Sequence, residues 1–298
     1  MLQFVSSLLG AILSEDLFNA IKFFVFNRRL PDFRQPKEFH EKVLWLKMNE
    51  RNRLMTRCAD KYGVRGYVAD AVGEDHLIPL LGVHDSADSI DFSILPERFV
   101  IKATHGSGWN IIVTEKSRAD LRRVRRRAGG FLRRNFYHRS QEWQYKNIKP
   151  RLIVEEYLSG PDGEVPWDYK FFCFDRGRNP DVFVQVDMGR FGDYQQVIMT
   201  GEWQPAGFRF RVKKTRPPDR LPPRPPHLDE MVRMARILAK DHNFCRVDLY
   251  LVCDRLYFGE LTFHPYAGFR AIRPVEASLR LGSMIELAGS HPVENPIA

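Results

Sequence analysis

Cys245-Arg246-Val247-Asp248-Leu249-Tyr250, then a turn at Cys253-Asp254-Arg255, then Phe258-Gly259-Glu260-Leu261-Thr262-Phe263-His264-Pro265: the fold is decided in these residues. Alternation with period two puts Arg246, Asp248 and Tyr250 on one face of a strand and Val247 and Leu249 on the other. Glu260 and Thr262 share a face of the second run. A hairpin closed by the turn brings Asp248 beside Glu260. Carboxylates that close repel and share a proton unless a cation lies between them. Mg²⁺ suits the pair, because it is held at about 2 Å by one or two carboxylates plus substrate phosphates. The competing reading is that Arg246 salt-bridges both acids and no metal is needed.

Two earlier stretches carry complementary chemistry. Phe99-Val100-Ile101-Lys102-Ala103-Thr104-His105-Gly106-Ser107-Gly108-Trp109-Asn110 runs into Ile111, Ile112 and Val113, and reads as strand, tight loop, strand. The glycines let backbone N–H groups approach phosphate oxygens, and Lys102 can neutralise phosphate charge. The spacing is neither that of a P-loop nor that of a dinucleotide fingerprint. A hairpin turn with an incidental lysine remains open at this point. Leu152-Ile153-Val154-Glu155-Glu156-Tyr157-Leu158-Ser159-Gly160 is an apolar strand ending in two carboxylates. It could pair its backbone with an adenine ring while Glu155 or Glu156 takes the exocyclic amine, or it could be a solvated strand end.

Working outward, the 298 residues suffice for two lobes with a cleft between them, and an apolar share of 44% with 12% aromatics supplies their cores. Helical periodicity in Phe39, Val43, Leu44 and Leu46, and again from Leu54 through Tyr67, predicts helices over 37–71. Leu77–Val83, Phe99–Ala103, Leu152–Leu158, Tyr169–Phe174, Val182–Val186 and the hairpin above read as strands. Between the earlier strands lies an arginine-rich helix over 119–136, expected to break at Gly129 and Gly130. Lys213–Pro226 reads as an extended loop and Leu228–Lys240 as a helix. The expectation is an α+β chain with a helical region over 1–75, a front lobe over 76–155 and a back lobe over 156–298.

Four scattered cysteines, Cys58, Cys173, Cys245 and Cys253, follow no zinc spacing and predict reduced thiols in the cytoplasm. The net charge of +9 and pI near 9.4 favour anionic partners. Met1–Leu13 is apolar but has no basic start or cleavage site, and Ser14, Glu15 and Asp16 end it short of a membrane span. Leu17, Ile21, Phe24 and Val25, followed by Arg28 and Arg29, form a helix that packs on the core or lies on the inner face of the membrane.

In sequence order, a lysine with a Gly-rich turn, a Glu-Glu strand, and then Asp and Glu on late paired strands resemble the ATP-grasp superfamily. Within it the chain looks like the TupA-like ATP-grasp family of bacterial envelope and exopolysaccharide biosynthesis, from about Pro36 to Pro265. Carrying the likeness are Phe39-His40-Glu41-Lys42, Ala59-Asp60-Lys61-Tyr62, Leu77 through Val83, Lys102 with His105-Gly106-Ser107-Gly108, Asp168-Tyr169-Lys170-Phe171-Phe172, Arg246 through Tyr250, and Gly259 through Phe263.

The resemblance implies ATP between two lobes, with Lys102 and Lys170 on its phosphates and the turn from His105 through Gly106, Ser107 and Gly108 to Asn110 closing over them. Glu155, Glu156, Tyr157 and Leu158 would hold adenine, and Asp168 the ribose hydroxyls. Asp248 and Glu260 would bind Mg²⁺, with Thr262, in the place where many ATP-grasp ligases carry Asn, as a weaker ligand. The implied chemistry is transfer of a phosphoryl group from ATP to a carboxylate and attack by an amine on the acyl phosphate. Lys102 would spread the phosphoryl charge, and Arg246 would hold the carboxylate or the oxyanion unless it serves only Asp248. Pro265-Tyr266-Ala267-Gly268 stands where the family more commonly has Pro-Gly-Ser-Gly, which leaves the acceptor open.

The substrates implied are a carboxylate and an amine on small molecules or on a saccharide precursor. A glycosyltransferase would want an Asp-x-Asp metal motif, which the sequence lacks. A nucleic-acid binder is suggested by Arg122 through Arg134, but aromatic interleaving there is thin, and a basic cover for phosphates or a membrane edge serves as well. A nucleotide-binding module without activity is the remaining alternative.

Overall fold

Local capping shapes the first part of the chain. Helix α1 (Leu2–Ile12) gives way to α2 (Glu15–Asn27) at Ser14, whose hydroxyl accepts the Leu17 N–H. On α2, Phe18 and Phe23 pack with Leu44, Ala267 and Phe269, whereas Leu17, Ile21, Phe24 and Val25 are exposed. One face of the helix thus joins the core and the other turns an apolar stripe outward. The helical pattern that follows resolves into α3 (Phe39–Asn49), α4 (Arg53–Ala59) and α5 (Gly63–Val72). The helix expected from Leu54 through Tyr67 is interrupted because Asp60 Oδ1 accepts the Tyr62 N–H, a local bond that competes with the helix. Lys61 therefore sits between helices, and its own N–H goes to the carbonyl of Thr104.

This computed structural model describes residues 2–160, 163–175, 178–189, 192–212 and 216–287. The start of the expected loop at Lys213 and the last stretch of the back-lobe range lie outside the described residues.

Strands β1 (Leu80–His84), β2 (Phe99–Ala103) and β3 (Asn110–Val113) precede α6 (Leu121–Leu132) and α7 (Tyr137–Ser140), and β4 (Leu152–Glu156) follows. These strands make an antiparallel sheet in the order β1-β4-β2-β3, in which Lys102 lies opposite Asn110 and Ile153. Strand β1 begins at Leu80 rather than Leu77 because Pro79 has no N–H to give, although its carbonyl accepts the Glu156 N–H. Contrary to the sequence expectation, α6 passes through Gly129 and Gly130 unbroken. Asp120 caps its start, and Ala128 and Phe131 pack on Phe99, Ile101 and Trp109, which outweighs the glycine cost of about 1 kcal/mol each.

The chain then enters a second antiparallel sheet. Its strands are β5 (Asp168–Phe174), β6 (Phe183–Met188), β7 (Gln195–Thr200), β9 (Phe244–Val252) and β10 (Arg255–Thr262), ordered β10-β9-β5-β6-β7. Between β7 and β9 come β8 (Arg209–Phe210) and α8 (Leu228–Ala239), and β11 (Ile272–Arg273), which pairs with β8, leads into α9 (Val275–Ser283). Period two divides this sheet. Tyr169, Phe171, Val247 and Leu249 share a core with residues of α4, α5 and α8. On the opposite face Phe172, Phe174 and Phe244 pack with Phe39 of α3 and Leu281 of α9. The charged residues of that same face, Asp168, Lys170, Arg246 and Asp248, are gathered at one end of it by the β5–β9 register, which pairs Lys170 with Asp248.

Candidate functional site

The front wall is built from β2, β4 and the helix break. Lys102 Nζ lies 2.6 Å from Glu155 Oε2, and Arg65 Nη1 of α5 lies 3.2 Å from Glu155 Oε1. Lys61 Nζ donates to the Gly106 carbonyl at 2.7 Å. Burial pushes the Lys61 pKa below its usual range, with Lys102 acting in the same sense and Glu260 and Glu155 against it. The Gly106 turn is fixed by its neighbours. A Cβ on Gly106 would stand 2.6 Å from the Trp109 ring, and Gly108 adopts φ +72°. Trp109 stacks on Phe131 with ring centroids 6.1 Å apart, while His105 Nε2 lies 3.2 Å from the Phe131 carbonyl oxygen.

The back wall is an ion-pair network. Antiparallel pairing sets Glu260 directly across from Asp248, with a bulge between Phe258 and Glu260. Arg246 donates from Nε to Asp248 Oδ1 and from Nη2 to Oδ2, both at 2.7 Å. The same Nη2 reaches Glu260 Oε1 at 3.2 Å and Thr262 Oγ1 at 3.0 Å. Lys170 Nζ donates to Asp248 at 3.0 Å and lies 3.4 Å from Asp168 and 3.6 Å from Asp187. Burial opposes ionisation of Asp248, but Arg246 and Lys170 outweigh it and hold the carboxyl below the usual range. Burial likewise opposes the charge on Lys170, and Asp248 and Asp168 more than restore it.

Two cavities lie between the walls and share Tyr145 and Glu260. The smaller, about 20 Å³, has Lys61, Lys102, Glu155 and Glu260 beside the apolar Ile78 and Leu261. The larger, about 940 Å³, runs past Ser107, Gly108, Arg246 and Thr262.

The TupA-like ATP-grasp family model matches residues 41–286. The chain belongs to that family. No curated protein matches it. Among solved structures it is similar to D-alanine–D-alanine ligase from Helicobacter pylori, with 14% identity, a TM-score of 0.44, and coverage of 84% of this chain and 70% of that one. L-amino acid ligase from Bacillus licheniformis gives 12% identity, a TM-score of 0.44, and coverage of 84% and 55%. Phosphoribosylamine–glycine ligase from Thermotoga maritima gives 12% identity, a TM-score of 0.40, and coverage of 74% and 54%. The chain therefore spans between 54% and 70% of the length of these structures.

In this ATP-grasp protein the residues singled out by sequence are distributed unevenly. Lys102, Glu155 and Glu260 meet at the smaller cavity, and Ser107, Gly108, Arg246, Glu260 and Thr262 at the larger. His105 turns inward to α6, and the Asn110 carbonyl accepts from Arg127. Glu156 is exposed, Tyr157 lies under the Arg98 guanidinium at 5.7 Å, and the described cavity lining includes neither of them nor Leu158. Asp168 and Lys170 are buried in the back-sheet network, away from the open space.

Donor chemistry fits a nucleotide and a hard cation. Two lysines face an apolar slot, and Glu260, with its side chain 37% exposed, offers a carboxylate oxygen close to Thr262. Mg²⁺ accepts one or two carboxylates and keeps waters, so the chemistry of Glu260 suits it, whereas both Asp248 oxygens are held by Arg246. The smaller cavity has room for about one water.

Sequence reasoning passed over Lys61 and Arg65 as site residues. Lys61 stands in Ala59-Asp60-Lys61-Tyr62, and the signal is the Asx break inside a helical pattern, which takes Lys61 out of the helix and lets its side chain reach Gly106. The basic helix also gains a place, since its Arg126 and Arg127, with Arg134 just beyond its end, line the larger cavity.

Proposed function

We propose that the protein is an ATP-dependent carboxylate-amine ligase working through an acyl phosphate, on a precursor of the cell envelope or an exopolysaccharide. Membership of the ATP-grasp family supports the ligase class, and the observation that carries the reading is one cleft with Lys61 and Lys102 on its front wall and Glu260 on its back wall. The precursor rests on the TupA-like resemblance alone. Mg²⁺, when bound, would neutralise phosphate charge at Glu260, Thr262 and Asp248. Lys61 and Lys102 would hold the phosphate oxygens, and Ile78 and Leu261 would cover the base. Arg246, at the boundary of both walls, would orient the carboxylate to be activated. Closure of the turn at Gly106 to Gly108 would keep water from the acyl phosphate.

Incubation with ATP, Mg²⁺ and paired carboxylates and amines should release ADP and phosphate. Absence of release, together with no nucleotide-induced gain in thermal stability, would sink the reading. A non-catalytic nucleotide module is favoured by one feature, the Arg246 clamp on Asp248 and Glu260. Nucleotide binding that Mg²⁺ does not strengthen would support that alternative. No helix among the described residues is long and apolar enough to cross a membrane. Peripheral contact through Leu17, Ile21, Phe24 and Val25 belongs to the same proposal, and sedimentation with anionic vesicles tests it.

A further inference from the structure

The larger cavity holds more positive charge than a triphosphate in the neighbouring slot can use. Lys22, Arg126, Arg127, Arg134, Arg139 and Arg270 converge on it from α2, α6, α7 and the segments that follow α6 and the turn at Pro265 to Gly268. Among the described residues none of the six forms an ion pair with a carboxylate, whereas arginines elsewhere on the surface, such as Arg51 with Glu15 and Arg224 with Asp229, do. Two acids stand on the wall against these six: Glu260 is engaged by Arg246, and Glu142 acts among them on Lys22 and Arg139 alone, which leaves the other four arginines without a counter-charge there. Burial, with Arg139 as a second cause, lowers the Lys22 pKa to about 8. Unpaired cations held together repel, and an arriving anion relieves them. One further group on the wall, His264 Nε2, is buried without a hydrogen-bond partner among the described residues.

We infer that the larger cavity is the site of the carboxylate substrate, and that this substrate carries at least two negative charges besides the carboxylate to be activated, as phosphate ester or further carboxylates. The inference rests on the ligase reading and names its substrate class. The volume of about 940 Å³ suits a ligand larger than one amino acid. Oxygen anions with several acceptors match guanidinium forks, which bind them in pairs. Lys61 and Lys102, on the other side of Glu260, are left for the nucleotide.

Binding, measured by calorimetry at low salt without turnover, tests it with inorganic pyrophosphate, tricarballylate and the neutral trisaccharide raffinose. The variant is Arg126→Ala with Arg134→Ala, two exposed side chains with no hydrogen bond to lose among the described residues. Both anions should bind the wild type and raffinose should not. The double variant should bind the anions at least about tenfold more weakly, at 1.4 kcal/mol for each factor of ten, while its affinity for a non-hydrolysable ATP analogue stays within about twofold. Tighter binding of pyrophosphate than of tricarballylate assigns the phosphate ester, and the reverse order the polycarboxylate. Anion affinity unchanged in the variant overturns the inference, as does a parallel loss of ATP-analogue affinity, which would give these arginines to the nucleotide. An ATP analogue that fails to bind the wild type defeats the ligase reading instead, a separate result.

Discussion

Lys61 Nζ donates to the carbonyl oxygen of Gly106 at 2.7 Å, joining a break between two helices to the tip of the glycine turn. The backbone repeats the link, with the Lys61 N–H on the Thr104 carbonyl at 3.2 Å. A buried ammonium that donates to a neutral carbonyl is under-satisfied for a cation, and a phosphate oxygen is the better acceptor. On the proposed function, Lys61 trades Gly106 for phosphate when the nucleotide arrives.

Lys61→Met should therefore weaken ATP-analogue binding by about tenfold or more, since a hydrogen bond to a charged group contributes roughly 1.5–3 kcal/mol. Because the methionine keeps the volume and removes a buried charge, the melting temperature should hold or rise. Calorimetry and a thermal melt on the same sample check both. Unchanged affinity would remove Lys61 from the nucleotide site.

Asp248 and Glu260 face each other across β9 and β10 but should respond differently to neutralisation. Asp248 is 1% exposed and holds Arg246 and Lys170, so Asp248→Asn leaves buried cations short of their counter-charge and should cost about 3–5 kcal/mol in urea unfolding. Glu260 is partly exposed and shares Arg246 with Asp248, so Glu260→Gln should cost less than about 1 kcal/mol. If ADP release by the ligase needs Glu260, this stable variant should lose it. Equal destabilisation by the two changes would contradict the geometry.

Much of this layout was legible in the sequence because strand alternation is rigid: once Asp248 and Glu260 fall on facing positions of a hairpin, their pairing follows. The glycine turn announced itself through Gly106 and Gly108, whose backbone demands are local. Other features needed tertiary information. That Asp248 is shared between Arg246 and Lys170, and that Asp187 lies beside the same lysine, depends on β5 and β6, which come in from far along the chain. Unbroken passage of α6 through Gly129 and Gly130 depends on the sheet beneath it, and only that packing aims Arg126 and Arg134 at the cavity.

Gly106→Ala and Gly108→Ala separate space from conformation. At Gly108 nothing stands within 4 Å of an added Cβ, and the cost is that of φ +72°, about 1–2 kcal/mol. At Gly106 the new methyl meets the Trp109 ring, which is itself wedged on Phe131 and Phe136. Gly106→Ala should therefore speed amide hydrogen exchange over 104–110 and shift Trp109 fluorescence, in a background where the other tryptophans are replaced, whereas Gly108→Ala should do neither to the same degree. Identical behaviour of the two variants would contradict the packing.

Acid should destabilise the fold well above the carboxylate range. Burial lowers the pKa of His40 and His242 from 6.5 to about 4 and, together with Lys47, that of His264 to about 3. In each case the folded value lies below the unfolded one, so below pH 6.5 the unfolded chain takes up a proton that the folded chain refuses, and stability falls with pH until the folded pKa is reached. The slope from these groups is half developed at pH 6.5 and vanishes about one unit above it. Between pH 6 and pH 4.5 each histidine adds up to roughly 1.4 kcal/mol per pH unit. Asp248 acts in the same direction lower down: its depressed pKa stabilises the fold above the ordinary aspartate range, and that contribution disappears as pH falls through the folded value. Urea unfolding at pH 8, 7, 6 and 5 should show a plateau and then a decline. Replacing His242, which packs on Phe263 with centroids 4.7 Å apart, by Gln should flatten the decline by about one proton's worth. A slope unaltered by that change would mean that His242 is protonated in the folded protein.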